Sequence, residues 1–423
     1  MALFHFCGIV FFMDTGSLGI YIFLFIALYF EVFLLMTFLE KRPEKPTKVL
    51  PTRYPSVCIL VPCYNEEQTI IATLASLLAL DYPKEQLSIM VVDDGSTDNT
   101  AAILTPFIAQ HPQITYHYKQ NGGKYTALNF GITHTTAELV GCLDADSFVA
   151  PDALMEMVKQ FERDKDVYAL TPAMKVFHPK NIVEMMQAVE YTFGIFYKKM
   201  FDTLSAITVV PGPFSIYRRD VFDKIGLFRR AHNTEDMEIA FRMHAHHLKI
   251  GMAHNAHVYT TVPKTMPSLI KQRTRWSQGY LQNSLTEYRY MYFNPRYGNF
   301  GLLILPFGIT SLVSGLYTAG YAIYRFFFIG WTKLSEPLVT GIPPHVPVVH
   351  FEWFYVNTSM LNFLVVVALC TTLTTILLGQ RIAQQKLPLP WIMYYLLFFG
   401  FIAPFWLVRA AWGTIRGAES KWK

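Results

Sequence analysis

The stretch Glu138-Leu-Val-Gly-Cys-Leu-Asp-Ala-Asp-Ser147 decides how this sequence is read. Residues 139–143 form a short apolar run, and the chain turns acidic at Asp144 and Asp146. Side chains alternate along a strand, so residues two apart share a face. The two carboxylates can therefore grip one hard cation from one side. Oxygen donors suit Mg²⁺ or Mn²⁺, and Mg²⁺ sites combine one or two carboxylates with substrate phosphates. The same pair serves equally well as the cap of a turn. A second Asp-x-Asp, Asp164-Lys-Asp166, sits in the polar run Glu162-Arg-Asp-Lys-Asp166 and reads as a solvated turn. The first copy differs because it ends an apolar strand, where open α/β sheets hold their ligands.

Working outward, Ser56-Val-Cys-Ile-Leu-Val-Pro-Cys-Tyr-Asn-Glu-Glu67 predicts a buried strand over 57–61, ended by Pro62. Asn65 is placed to cap a helix running to Leu80, with Ile70, Leu74, Leu77 and Leu78 at helical spacing. Leu87-Ser-Ile-Met-Val-Val-Asp-Asp-Gly-Ser-Thr-Asp98 predicts a second strand that ends in acid and glycine, then a helix over 98–110. A third strand is expected over 114–118, and Asn121-Gly-Gly-Lys-Tyr125 is a turn into a helix. Strand–helix alternation implies a parallel sheet with ligands at the strand C-ends. Three strand ends carry polar groups: Tyr64, Asn65 and Glu66; Asp93 and Asp94; Asp144 and Asp146. In a parallel sheet they fall along one edge. Lys124 is either a surface lysine or, beside a glycine turn at a helix start, a phosphate ligand.

The 423 residues are 52% hydrophobic and only 16% charged. Soluble chains carry roughly 25% charged residues, so the balance points to a membrane protein. The apolar excess lies at the two ends, where the segments 18–39, 300–321, 360–378 and 391–408 are each long enough to span a bilayer. Glu31, inside the first, should face a partner helix or a wet cavity. The apolar run 1–13 is too short to span, and it lacks the basic start and small-residue cleavage site of a signal peptide. Net charge is +5, and Lys41, Arg42, Lys45, Lys48 and Arg53 follow the first span directly. By the positive-inside rule they hold the middle of the chain in the cytoplasm. No aromatic-interleaved basic patch of the nucleic-acid-binding kind is present. Four spans would put Arg409, Arg416, Lys421 and Lys423 outside, against the same rule. The five cysteines, Cys7, Cys58, Cys63, Cys142 and Cys370, have neither zinc-ligand spacing nor a paired framework.

Downstream, His232-Asn-Thr-Glu-Asp236 predicts a helix capped by Thr234, with Glu235 and Asp236 in its first turn. Gln272, Arg275 and Trp276 are spaced i, i+3, i+4 and share one helical face, while Arg273 points elsewhere. By itself that shared face suits a helix lying at the membrane surface. Leu281, Leu285, Tyr288 and Tyr292 extend an apolar stripe beyond it. His232, His244, His246, His247, His254 and His257 lack a carboxylate or cysteine to complete a metal site and read as ordinary polar contacts.

Val-Pro-Cys-Tyr-Asn-Glu, Val-Val-Asp-Asp-Gly-Ser, Asn-Gly-Gly-Lys and Leu-Asp-Ala-Asp, in this order, resemble the inverting family 2 glycosyltransferases. Val209-Val-Pro-Gly-Pro-Phe-Ser-Ile-Tyr-Arg-Arg219 resembles the acceptor segment of hyaluronan, chitin-oligosaccharide and poly-N-acetylglucosamine synthases. Thr234-Glu-Asp236 and Gln272-Arg-Thr-Arg-Trp276 are similar to the remaining signatures of the processive members. The likeness covers about residues 56–290. Pro211-Gly-Pro213 stands where cellulose-type synthases carry Cys-Gly, which argues against cellulose and leaves the sugar open.

The resemblance implies an α/β protein: a cytoplasmic GT-A domain, Rossmann-like with a mostly parallel sheet, flanked by transmembrane helices. The expected division is 1–53 for the N-terminal membrane segment and basic linker, and 54–262 for the catalytic domain. Interfacial helices follow at 263–298, then a C-terminal membrane region at 299–423. Asp93 is expected at the uracil, Tyr64 and Glu66 at the nucleoside, and Lys124, Gln272 and Arg275 at the diphosphate. Asp144 and Asp146 are expected to hold Mg²⁺ or Mn²⁺, with Asp146 the more direct ligand. Gly212, Glu235 and Trp276 are expected around the acceptor, and Asp236 as general base. The implied partners are a UDP-sugar, probed first as UDP-N-acetylglucosamine, a polysaccharide or lipid-linked acceptor, and the bilayer of the plasma membrane. Competing readings are single transfer to a polyprenyl phosphate or lipid, and a catalytically silent membrane scaffold.

Overall fold

The computed structural model describes residues 15–41, 50–341 and 359–417. In chain order the elements are α1 (Thr15–Glu40), β1 (Val57–Cys63), α2 (Ile70–Leu78), β2 (Leu87–Asp93), α3 (Thr100–Ala109), β3 (Ile114–Tyr118), α4 (Lys124–His134) and β4 (Leu139–Cys142). Next come β5 (Ser147–Val149), α5 (Ala153–Arg163), β6 (Val167–Val176), α6 (Ile182–Thr203), β7 (Ser215–Arg218), α7 (Asp220–Ile225), α8 (Glu235–Ala245) and β8 (Lys249–Thr260). The chain finishes with α9 (Met266–Gln282), α10 (Leu305–Thr340), α11 (Met360–Ile382), α12 (Leu389–Tyr394) and α13 (Gly400–Ile415).

Among the described residues, eight strands form one sheet in the order β3-β2-β1-β4-β7-β6-β8-β5. The expected parallel core is present: β1 lies between β2 and β4, and β2 pairs with β3, all parallel. The sheet is mixed beyond it, because β7 enters antiparallel between β4 and β6. β1 runs through Pro62 instead of stopping there. Its register with β4 ends at Leu60, so at Pro62 it has one neighbour and the missing N–H is tolerated. Asn65 does not cap α2, which starts five residues later. Its backbone is left-handed (φ 56) and its side-chain oxygen accepts from the Thr97 N–H at 2.8 Å, tying the end of β1 to the loop after β2.

Alternation along β1 separates two cores. Cys58 and Leu60 join Met90, Val92, Val140 and Cys142 on one face, together with Phe30, Leu34 and Phe38 of α1. Val57, Ile59 and Val61 join Ile89, Val91 and Leu139 on the other, under α2 and α5. The first membrane helix is thus packed into the same core as the sheet. The thiols of Cys58, Cys63 and Cys142 are free and buried, as expected of small core residues; Cys7 lies outside the described residues, as does the run 1–13. His244 is structural: its Nε2 lies 2.8 Å from the Ile207 carbonyl oxygen and its ring stacks on Phe300 at 3.9 Å.

Among the described residues, four helical stretches are long and apolar enough to cross a membrane: Gly16–Glu40, Phe300–Thr340, Met360–Ile382 and Leu389–Ile415. Glu31 meets a partner helix as expected: Thr371 and Thr372 of α11 donate to it, and so does the Tyr197 hydroxyl of α6. The stripe beyond Trp276 is not one continuous helix. α9 ends at Gln282, Leu281 and Tyr288 turn into the protein, and Leu285 is exposed.

The sheet interior has no slack where it leads to Asp144. A Cβ on Gly141 would press on Ile59 and lie 2.7 Å from the Ile216 Cδ1. Overpacking of this kind costs about 1–3 kcal/mol. Gly141→Val should therefore lower the melting temperature of the detergent-solubilised protein by several degrees; an unchanged melting curve would mean that the strands part freely there.

Candidate active site

The C-ends of β1 and β4, the starts of α4 and α8, and one face of α9 enclose a cleft of about 660 Å³. Tyr64, Glu66, Lys124, Asp144, Asp146, Gly212, Glu235, Asp236, Gln272, Arg275 and Trp276 all line it. Asp93 does not. It is fully buried, where its carboxylate accepts from the Ser96 N–H at 2.8 Å and the Tyr116 hydroxyl at 2.9 Å. Its neighbour Asp94 lines the cleft instead, accepting from the Gly122 N–H at 3.1 Å and the Gly123 N–H at 2.7 Å. Asp94 thereby pins the turn from which α4 and Lys124 emerge.

Charge is concentrated at the centre. The Lys124 ammonium pairs with Asp144 and lies 3.5 Å from Glu235 Oε1. Burial works against its charge, but Asp144, Glu235 and Asp236 outweigh that and hold its pKa above the usual lysine value. Asp146 is pushed up to about 6, by burial first and then by the neighbouring Asp144 charge. The Thr261 hydroxyl donates to Asp146 at 2.9 Å and the Ser147 hydroxyl at 3.2 Å, which orients the carboxylate. Asp236 is also pushed up to about 6, by burial and the adjacent Glu235, against the pull of Lys124 and Arg275. Asp236 lies in the first turn of α8 as expected. Thr234 stands at the cap position without capping: its hydroxyl donates to the Ala231 carbonyl and accepts from Asn283.

The face of α9 is held from behind by Arg273. That guanidinium is buried and forked onto Glu190, with Nε to Oε1 at 3.0 Å and Nη2 to Oε2 at 2.5 Å. It also donates to Gln272 Oε1 at 2.6 Å and lies 4.2 Å from the centre of the Trp276 ring. Arg273 does point away from the cleft-lining face, yet it fixes both ends of that face. A buried pair of this kind costs about 3–5 kcal/mol to break on one side.

Sequence reasoning gave no role to several lining residues. Asp94 adjoined a residue already singled out, and only the fold separates the two. Lys271 lies one turn before Arg275 on α9 and was legible as a further cation of that helix. Tyr191 of α6 and Thr261 after β8 carry no local signal.

The donor set fits a divalent cation. Two carboxylates face one space, and Gly212 leaves that space open: a Cβ there would lie 2.6 Å from Asp144 Oδ1 and 2.7 Å from Oδ2. Among the described residues no third acid, histidine or cysteine converges with them. Such a pair would supply two ligands and leave the others to phosphate and water, the usual division for Mg²⁺.

The model of glycosyl transferase family 2 matches residues 58–226. Curated relatives named poly-beta-1,6-N-acetyl-D-glucosamine synthase are similar. The protein from Staphylococcus epidermidis is 31% identical over 246 residues, which are 57% of this chain and 59% of the relative. The protein from Staphylococcus aureus strain COL is 32% identical over 242 residues, 57% of each. The chain thus spans about three fifths of the length of the curated relatives it matches. Among solved structures, the mannosyltransferase PcManGT from Pyrobaculum calidifontis, in complex with GDP-Man and Mn²⁺, superimposes with a TM-score of 0.60. That likeness covers 95% of this chain and 96% of the other at 19% identity, and it is a likeness of fold. The GT-A-like sheet and the cleft at its strand ends agree with the match of residues 58–226 to glycosyl transferase family 2.

Proposed function

We propose that the cleft transfers N-acetylglucosamine from a UDP-sugar, with inversion, to the end of a growing β-linked polysaccharide, and that the product passes out along the membrane helices. One observation carries this reading. Groups drawn from the first strand to the α9 helix meet around a single cleft, with Gln272, Arg275 and Trp276 on one wall and Asp236 on another. The name of the Staphylococcus relatives supports the sugar and the polymer. Mn²⁺ in the mannosyltransferase of like fold supports a divalent cation.

Tyr64 and Glu66 would flank the nucleoside, resting on the floor that Asp93 and Asp94 brace. Arg275 offers a planar fork to the diphosphate, and Lys124 offers a point charge beside it. Asp144 and Asp146 would hold Mg²⁺ or Mn²⁺, which neutralises the diphosphate as it departs. Trp276 gives the acceptor sugar an aromatic face, Gly212 and Glu235 bound the acceptor's path, and Arg273 keeps the ring in place. Asp236 takes the proton of the attacking hydroxyl while that oxygen bonds to the anomeric carbon and the bond to UDP breaks. A carboxylate lifted towards neutrality, yet still ionised at pH 7, is suited to that step. The catalytic domain would lie in the cytoplasm, on the side of the basic segment 41–53.

Membranes incubated with UDP-N-acetylglucosamine should release UDP and build a polymer that grows with time; one lipid-linked product of fixed size would instead favour single transfer. Asp236→Asn should cut UDP release by about 100-fold or more while UDP binding, read by calorimetry, is kept. Unchanged release would remove Asp236 from the role of base. The sign of the pH effect follows from its pKa: below about 6 the carboxylate is protonated and cannot accept, so the rate should fall as pH drops through that value. A flat profile from pH 5 to 8 would contradict this. Chelation should abolish release and added Mg²⁺ or Mn²⁺ should restore it, with Asp146→Asn needing far more metal; activity indifferent to chelator would exclude the cation.

A further inference from the structure

The segment Leu389–Ile415 has the length and apolarity of a span, yet both its ends rest on the catalytic domain. At its start, Trp391 and Ile392 pack with Val176, Ala188, Val189 and Val262, and the Tyr395 ring lies 6.2 Å from Phe193 of α6. At its end, Gly413 approaches α9 so closely that an added Cβ would meet Gln278 Oε1 at 2.9 Å and Cδ at 3.0 Å. α9 also carries the cleft residues Gln272, Arg275 and Trp276, so this end lies on the catalytic side.

The direction of α13 agrees. α10 leaves the domain at Gly308, beside the Tyr280 hydroxyl, and proceeds to Gly315. Leu407 touches the Gly315 position, and six residues later Gly413 has returned to Gln278. α13 therefore runs back towards the domain as α10 runs away from it. A helix of 27 residues set across the bilayer would carry its far end about 40 Å away, at about 1.5 Å per residue.

The surface of the segment fits a membrane face. Trp406 and Ala410 are buried against the protein, while Phe401, Phe405, Val408, Trp412 and Ile415 recur every three or four residues as an exposed stripe. Arg409 and Arg416 are exposed beside it, and Arg416 stacks on Trp412 at 4.4 Å. Aromatic rings paired with arginine at both water and hydrocarbon suit the headgroup level.

We infer that Leu389–Ile415 is a strap on the surface of the anionic leaflet facing the catalytic domain, and that the chain after it stays on that side. The strap lies across the back of α9, so the membrane surface supports the helix that carries one wall of the cleft. The basic residues Arg409, Arg416, Lys421 and Lys423 then fall on the same side as the basic segment 41–53, and the charge conflict of a four-span count disappears. The inference does not depend on which reaction the cleft performs.

The test uses the full chain with its five native cysteines replaced. Single cysteines enter at Lys165→Cys in the catalytic domain, His350→Cys between α10 and α11, and Ser420→Cys or Lys423→Cys after α13. Sealed vesicles of known orientation are treated with a membrane-impermeant maleimide. Positions 420 and 423 should label from the same side as 165 and opposite to 350; labelling with 350 overturns the strap. A bimane on Phe405→Cys should be quenched by spin-labelled anionic lipids in vesicles. A bimane that those lipids do not quench, as when a second copy of the chain covers the stripe, overturns the lipid assignment.

Discussion

Excess negative charge gathered at one cleft, from a strand end and a helix start, is the constraint around which this molecule is arranged. Asp144, Asp146, Glu235 and Asp236 face one cleft, and Lys124 is the cation wedged among them. Burial first, and then the like charge of a neighbouring carboxylate, holds Asp146 and Asp236 both near 6. Such a site is poised to take in compensating charge. Bare glycine at 212 keeps room open against Asp144, and oriented hydroxyls hold Asp146 in place. The electrostatics and the sterics of the pocket therefore ask for the same thing, a cation that brings an anionic ligand with it.

One wall of the cleft is held rigid, and its support comes from the apolar helices. α9 is fastened by the buried Arg273–Glu190 fork to α6, and α6 in turn packs on α11 and meets α1 through Phe38 and Phe196. The first membrane helix shares its core with the sheet. A lateral movement of the membrane helices would thus be transmitted to the position of Trp276. Direct packing between the cleft and the apolar helices leaves little play between the two parts.

Helix length and apolarity do not settle how a segment meets the membrane. The last helix has the composition of a span, but its ends are tied to the catalytic domain through Ile392 and Gly413. Packing decides its direction, and the charges of the tail agree with that direction.

Much of this architecture was determined by the sequence alone. The parallel β1, β2, β3 and β4 fall where apolar runs meet strand-end acids, because a buried strand and its polar terminus are properties of neighbouring residues. The common face of Gln272, Arg275 and Trp276 was legible for the same reason, since helical spacing is local. Tertiary structure alone decided the rest. Which of Asp93 and Asp94 lines the cleft depends on N–H groups of Gly122 and Gly123 brought from the next βα unit. That Arg273 steadies the ring three residues on depends on Glu190, in a helix far off in the chain. The antiparallel β7 and the return of the last helix are likewise set by partners distant in sequence, and periodicity carries no record of a partner.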